Sequence, residues 1–424
     1  MTERRPAGPP RAPFDWRAPA LVMAAACAIA VVGFGARSIF GLFLEPMSAT
    51  RGWGRETFAL ALAIQNLVWG ASLPVAGALS DRFGPARVLA GGAVVYALGI
   101  RGMAHAADPV LMQVTAGILV GVGVAFTAFT IALAAMAKVV GPERRSLALG
   151  LGTAAGSFGQ VIFSPLGQTL IATHGWEAAL VTLSASVLVI APLALLLPGV
   201  GQRPDAAEPG AAEPEQTLTA AGREAMGHRG YGLLTAGFFV CGFHVAFITV
   251  HFPAYVRDLG LPAAAGAGAI AVIGLFNIVG SLASGAAGQR WSRKYGLSTI
   301  YALRAVTITA LLLAPKTTAV IYAFSAAMGL LWLSTVPLTT GIVGRIFGLR
   351  YLATLFGFVF LSHQLGSFLG VWLGGRLFDA TGSYDGIWWA GVVLGLAAAL
   401  IHLPIDDRPI ARACPPVPAG ARTV

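Results

Sequence analysis

Long apolar runs, separated by short polar stretches, repeat along the whole chain. Each run is long enough to cross a hydrocarbon layer of about 30 Å as a helix rising about 1.5 Å per residue. Twelve runs are read: 19–46, 56–80, 87–106, 109–138, 145–173, 176–198, 231–256, 263–288, 298–314, 317–346, 351–379 and 384–404. The longest polar stretch, 199–230, is rich in Pro, Ala and Glu and divides the runs six and six. It reads as a partly disordered connector. The expected fold class is therefore all-α: a polytopic membrane protein with twelve transmembrane helices in two pseudo-symmetric six-helix bundles. A tail (1–18), a first bundle (19–198), the linker (199–230), a second bundle (231–404) and a second tail (405–424) make up the chain.

Composition agrees. Only 11% of the 424 residues are charged and 56% are hydrophobic, against about 25% charged in a soluble chain. So little charge cannot cover a globule of this size in water, so lipid must cover it. The net charge of +10 sits in short loops rather than on one basic face, which argues against nucleic acid as a partner. With the N-terminus inside, twenty Lys and Arg fall in inner segments and five in outer ones. That bias places both termini in the cytoplasm. Arg greatly outnumbers Lys, which occurs only at Lys138, Lys294 and Lys316; with the Ala and Gly excess this points to a GC-rich bacterium and its inner membrane. The apolar run after the basic, Pro-rich N-terminus is too long for a signal-peptide core, so no cleaved leader is expected.

Enzymatic chemistry finds no footing. There is no HExxH, no GxSxG and no aspartate pair inside a run. Cys27, Cys241 and Cys414 are scattered without metal-ligand spacing and read as small apolar packers. No cofactor and no metal are expected.

The two halves echo each other. "GALSDRFGPAR" begins at Gly77 and "GAAGQRWSRKYG" at Gly285; "GSF" at Gly156 recurs at Gly366. These nearly equal offsets suggest a duplicated six-helix unit, an architecture of carriers. The first of these stretches resembles the loop signature of the major facilitator superfamily through Gly77, Leu79, Asp81, Arg82, Gly84 and Arg87. Glycines permit the tight turn, and the acid and arginines can latch two halves together. The second copy keeps Arg290 but carries Gln289 at the acid. Within that superfamily, "ERRSLALGLGTAAGSFGQVIFSPLGQTLIATHGW" resembles span five of the monocarboxylate porters and oxalate/formate antiporters, through Arg144, Arg145, Gly150, Gly156, Pro165, Gly175 and Trp176 among others. Arg145, Gly150, Gly156 and Pro165 read as a helix-packing motif. "GWGRETFALALAIQ" and "GGRLFDATGSYDGIWWA" look like the same group.

The resemblance implies that spans one, four, seven and ten line a central pathway, and that Arg37 holds the basic position of span one. Ten helical residues separate Arg37 from Met47, a depth of about 15 Å, beyond comfortable snorkelling reach. An arginine held at depth costs roughly 2.5 kcal/mol or more, so it marks a functional cavity; its fork of donors suits a carboxylate. The further substrate-binding candidates are Gln65 and Asn66 in span two, His244 and His251 on one face of span seven, Asn277 in span eight, Trp332 and Leu338 in span ten, and His363 and Gln364 in span eleven. Arg304 lies within snorkelling reach of the inner end of span nine, and Arg101 near the outer end of span three. Two departures stand out. Asn277 and Ser281 occupy the positions where many porters of the resembled group carry an Asp and an Arg in span eight, so no fixed acid remains for proton coupling there. Gly117 stands about where proton/drug antiporters carry an arginine in span four.

The expected activity is secondary active transport of a small organic anion, a monocarboxylate or related carboxylate, by alternating access. The gating loop comprises Gly77, Asp81, Arg82, Gly84, Arg87 and Arg290. A proton or counter-anion is the expected coupling partner, lipid the surrounding one, and a monomer the working unit. The alternative is efflux of an uncharged or cationic compound, with Arg37 structural.

Overall fold

The computed structural model describes residues 17–139, 142–197, 216–348 and 350–410, all of them in helices or short connections. Span one runs Arg17–Ser38, tightens through one narrow turn at Phe40–Phe43 and resumes as Leu44–Arg51. Spans two and three are Arg55–Phe83 and Pro85–Ala104. Span four starts at Pro109, widens into a π turn over Gln113–Leu119, and continues through Val120–Phe126 and Phe129–Val139. Spans five and six form one helical stretch, Pro142–Leu188, kinked at Gly175. The second half has span seven at Arg229–Asp258, eight at Ala263–Arg290, nine at Arg293–Leu313, eleven at Leu352–Thr381 and twelve at Asp385–His402. Span ten is two helices, Thr318–Leu331 and Thr335–Phe347.

The break expected between spans five and six falls at Gly175, where the chain reverses with φ 81° and ψ 164°. That conformation is open only to glycine. One sequence expectation needs correcting: span ten is not continuous. Pro337 offers no N–H and its ring crowds the carbonyl four residues earlier, Leu333, which lies in the break. At the end of the 199–230 stretch, Leu218–Gly227 forms a helix that tucks Ala221 and Ala225 inward. Residues 198–215, the tails 1–16 and 411–424, and Cys414 lie outside the described residues.

Each half packs its own core. Ile29, Phe43, Phe58, Tyr96 and Ile100 anchor the first; Phe252, Ile321, Met328 and Trp388 anchor the second. The outer surface is apolar as well: Leu98, Val306, Val393 and Leu400 are 58–65% exposed. In water such a surface would aggregate; in a bilayer it meets acyl chains.

The halves meet along two seams, span five against eight and span two against eleven. Gln160 Nε2 donates to the Ile270 carbonyl at 2.8 Å and Ser164 Oγ to the Ala267 carbonyl at 2.7 Å. The outer ends are clasped by charge. Arg55 makes a two-pronged pair with Asp258 at 2.6 and 2.7 Å and stacks 3.7 Å over Phe378. Asp379 accepts the Arg55 and Glu56 backbone N–H groups at 2.9 and 2.8 Å, so an acid from span eleven caps span two. Glu56 meets Trp372 and Arg376, and Glu45 meets Arg257. Charged contacts thus close the outer face, and among the described residues no ion pair joins the two halves at the inner ends.

Gly175→Ala should lower the thermal stability of the purified protein by roughly 1–3 kcal/mol, because alanine is strained at that backbone angle. Gly150→Ala, in open helix, should leave it unchanged or raise it. Equal unfolding midpoints for both variants would contradict the backbone account.

Candidate functional site

Span one brings Arg37 to a cavity with room for about one water-sized group, lined also by Phe40, Leu62, Gln65, Asn66, Ala246, Thr249 and Val250. The helix ends at Ser38, just after Arg37, and the narrow turn that follows tucks Phe40 into the core. Span two supplies the polar partners. Arg37 Nη2 donates to Asn66 Oδ1 at 2.8 Å, and Asn66 Nδ2 donates in turn to the Leu62 carbonyl at 2.9 Å. The guanidinium lies 4.4 Å from the centre of the Trp69 ring. A cation held against an aromatic face away from water gains about 2 kcal/mol, a large part of what its burial in a membrane costs. Only one of its five donor hydrogens is used in a hydrogen bond among the described residues.

Two polar groups beside it are unpaired. Gln65 Nε2 and the Tyr96 hydroxyl are buried with no hydrogen-bond partner, and Tyr96 is close enough to Arg37 to interact with it electrostatically. A guanidinium with spare donors and a free amide N–H make an anion-accepting corner. Sequence reading named Gln65 and Asn66 but missed Trp69, Tyr96 and Thr249. Trp69 had a signal: it follows Asn66 by three residues and so shares its helix face. Tyr96 had none, because its nearness to Arg37 is set by tertiary packing, not by spacing along the chain.

The other candidates are dispersed. Gln364 adjoins the site, donating through Nε2 to the Asn66 carbonyl at 2.9 Å across the two halves, and His363 Nδ1 bonds its Oε1 at 3.0 Å. His244 is buried within the second half, with Nε2 2.8 Å from the Gly391 carbonyl. His251 Nε2 donates to the Val371 carbonyl at 2.8 Å, and its Nδ1 lies 3.0 Å from the Tyr384 hydroxyl. Burial raises the Tyr384 phenol above its ordinary pKa, against the opposing pull of Arg55. Asn277 has both ends of its amide occupied, by Ser157 on one side and by the Leu333 N–H and Ser281 on the other. Trp332 is buried in the break of span ten. Leu338 packs beside Gly288 and Gly296 toward the inner end. None of these five lines the cavity, which draws on spans one, two and seven.

Arg304 does not snorkel, contrary to expectation. It is fully buried. Its Nη2 donates to the Leu331 and Trp332 carbonyls at 2.7 and 2.5 Å, and its Nε reaches Leu331 at 3.3 Å. Those are the last carbonyls of the first half-helix of span ten, the negative end of its dipole. A helix terminus thus stands in for the missing acid. Arg101, by contrast, is exposed.

In the loop after span two, Gly84 has φ 91°, which glycine alone accepts readily. Asp81, Arg82, Arg87 and Arg290 are exposed, and Asp81 pairs with no other described residue. Gly150 faces open space and Gly156 makes ordinary contacts with Phe34. The closest approach of spans five and one falls at Gly159, against the Val31 backbone. Pro165 lies inside the helix without breaking it, and the side chain of Arg145 lies outside the described residues. A Cβ at Gly117 would already sit 3.1 Å from the Ala61 carbonyl, so an arginine there would have no room.

The sequence profile of the Major Facilitator Superfamily matches residues 25–330. The chain belongs to that superfamily. Curated relatives include mouse monocarboxylate transporter 11, 28% identical over 90% of this chain and 85% of its own, and the human form, 29% identical over 94% and 84%. The uncharacterized MFS-type transporter YhjX of Escherichia coli is 25% identical over 77% of this chain and 81% of its own. Among solved structures, a bacterial homologue of the human lysosomal transporter Spinster superposes with TM-score 0.74 at 15% identity, covering 92% of this chain and 97% of that one. The D-xylose–proton symporter gives 0.70 at 16% identity, with 92% and 99% covered. This major facilitator protein is therefore a multi-pass membrane transporter and not an enzyme.

Replacing Arg304 by Leu leaves two buried carbonyls without donors, each worth about 1–3 kcal/mol. Arg304→Leu should lower the unfolding temperature markedly, whereas Arg101→Leu should stay within about 0.5 kcal/mol of the parent. Equal effects would show that the carbonyl grip contributes nothing.

Proposed function

We propose that this transporter carries a small organic anion, a monocarboxylate or related carboxylate, bound through Arg37. One observation carries the reading: among the described residues, Arg37 is the sole charged residue bordering the cavity between the halves, and its spare donors meet no acid there. A carboxylate would complete it, taking a two-pronged bond from the guanidinium and a third from Gln65 Nε2. The relatives named as monocarboxylate transporters support the same substrate class. Once the cavity widens during the cycle, its apolar walls, Phe40, Leu62 and Val250, would hold a short carbon chain.

Alternating access supplies the mechanism. In the present form the Arg55–Asp258 pair and the Asp379 cap hold the outer face shut, while Asp81 and Arg82 of the inner loop are disengaged. Opening the outer face exchanges these bonds for a latch at the inner loop, and the two six-helix bundles rock about the Arg37 level. The protein works as a monomer in a bacterial inner membrane with both termini inside. A proton or counter-anion would couple the movement.

Counterflow of labelled short monocarboxylates in proteoliposomes tests the reading. Arg37→Gln removes a charge-assisted bond worth about 1.5–3 kcal/mol, roughly a ten- to hundredfold fall in transport. Arg37→Lys, a point charge without the fork, should retain part of it. Undiminished carboxylate transport by Arg37→Gln would overturn the assignment in favour of an uncharged or cationic substrate.

A further inference from the structure

The break in span ten exposes backbone groups that hydrocarbon cannot satisfy. Four of them find a side chain on a neighbouring span. Leu331 and Trp332 carbonyls take Arg304 from span nine. The Ser334 carbonyl takes Ser284 Oγ from span eight. The Leu333 N–H donates to Asn277 Oδ1 at 3.0 Å. Span eight comes close enough to do this because Gly280 lies directly against the Leu330 backbone, where a Cβ would overlap it.

Asn277 differs from the other two holders. A backbone N–H can only donate, so the end of the amide facing Leu333 is the oxygen, and the other end is the donor. That Nδ2 donates to Ser157 Oγ at 2.9 Å, and Ser157 belongs to span five in the opposite half. Ser281 steadies the oxygen from one turn along, at 3.1 Å. Asn277 is fully buried, so water cannot replace a lost partner. One amide thus joins the contact between the halves to the break in span ten.

We propose that Asn277 is a positioning residue of the transport cycle: it transmits the relative movement of spans five and eight to the break in span ten. When the halves rock, spans five and eight change their angle. The amide then either keeps Ser157 and pulls on the Leu333 N–H, or keeps Leu333 and releases Ser157. Both outcomes change the stability of the break, which in turn sets the angle between the two halves of span ten. An aspartate here could accept from Leu333 and, with the Ser157 hydroxyl turned to donate, from Ser157, but only by adding a buried charge. An apolar residue could do neither. The role concerns motion, not substrate recognition, and stands whichever solute is carried.

Amide hydrogen exchange of the full chain in lipid nanodiscs tests it without a substrate. The readout is the peptide spanning residues 328–340. Ser157→Ala should speed exchange there about fivefold, although Ser157 has no hydrogen bond to span ten, because the amide loses its anchor in the other half. Asn277→Ala should speed it more, and adding Ser157→Ala to Asn277→Ala should change nothing further. If Asn277→Ala does not fold, Ser157→Ala alone decides: a faster exchange at 328–340 supports the link, and an unchanged one overturns it. Unchanged exchange in Ser157→Ala, or additive effects in the double variant, would overturn the proposal.

Discussion

Two guanidiniums lie inside apolar bundles with no acid at their depth, and the means of satisfying each organises the rest of the structure. In hydrocarbon, an unpaired charge or polar group costs kilocalories that water would otherwise absorb. Arg304 is held internally, by the open carbonyls of a broken helix, with Nη1 left unpaired. Arg37 is satisfied only in part, by one amide oxygen and an indole face. The first lies fully buried in packed protein and reads as structural. The second leaves donors free at a cavity between the halves, which is what a binding site for an anion requires.

The same constraint explains where the polar side chains lie. Asn66, Gln160, Ser164, Asn277 and Gln364 each reach a group on another span, and the last four bond directly across the two halves. Hydrogen bonds of this kind specify register between apolar surfaces that would otherwise slide. They are weak enough individually to exchange during a conformational cycle. Among the described residues, the charged contacts between the halves lie at the outer ends, where Arg55, Asp258 and Asp379 are partly wetted. Strength at the rim and weakness at the centre suit a hinge that must open without losing its alignment.

The glycines and prolines divide labour along these lines. Gly175 reverses the chain between spans five and six without a loop, and Gly84 turns it between two and three. Gly159 and Gly280 let helix backbones touch. Pro337 interrupts span ten, and the interruption creates the carbonyls that Arg304 needs.

The sequence by itself determined the membrane class, the number of spans and the superfamily, because each depends on hydrophobic run length and local motifs. It also singled out Arg37, since depth in a helix is simple arithmetic along the chain. It could not place Arg304, His244 or Asn277. Their roles depend on partners 27 to 147 residues away, and hydropathy carries no record of which faces of two helices meet. Nor could it foresee that Trp69 and Tyr96 would flank Arg37, or that span ten would be broken and held by three neighbours. Those were decided only when the helices packed, because inside a membrane a polar group's partner is whatever side chain the packing brings within hydrogen-bond reach.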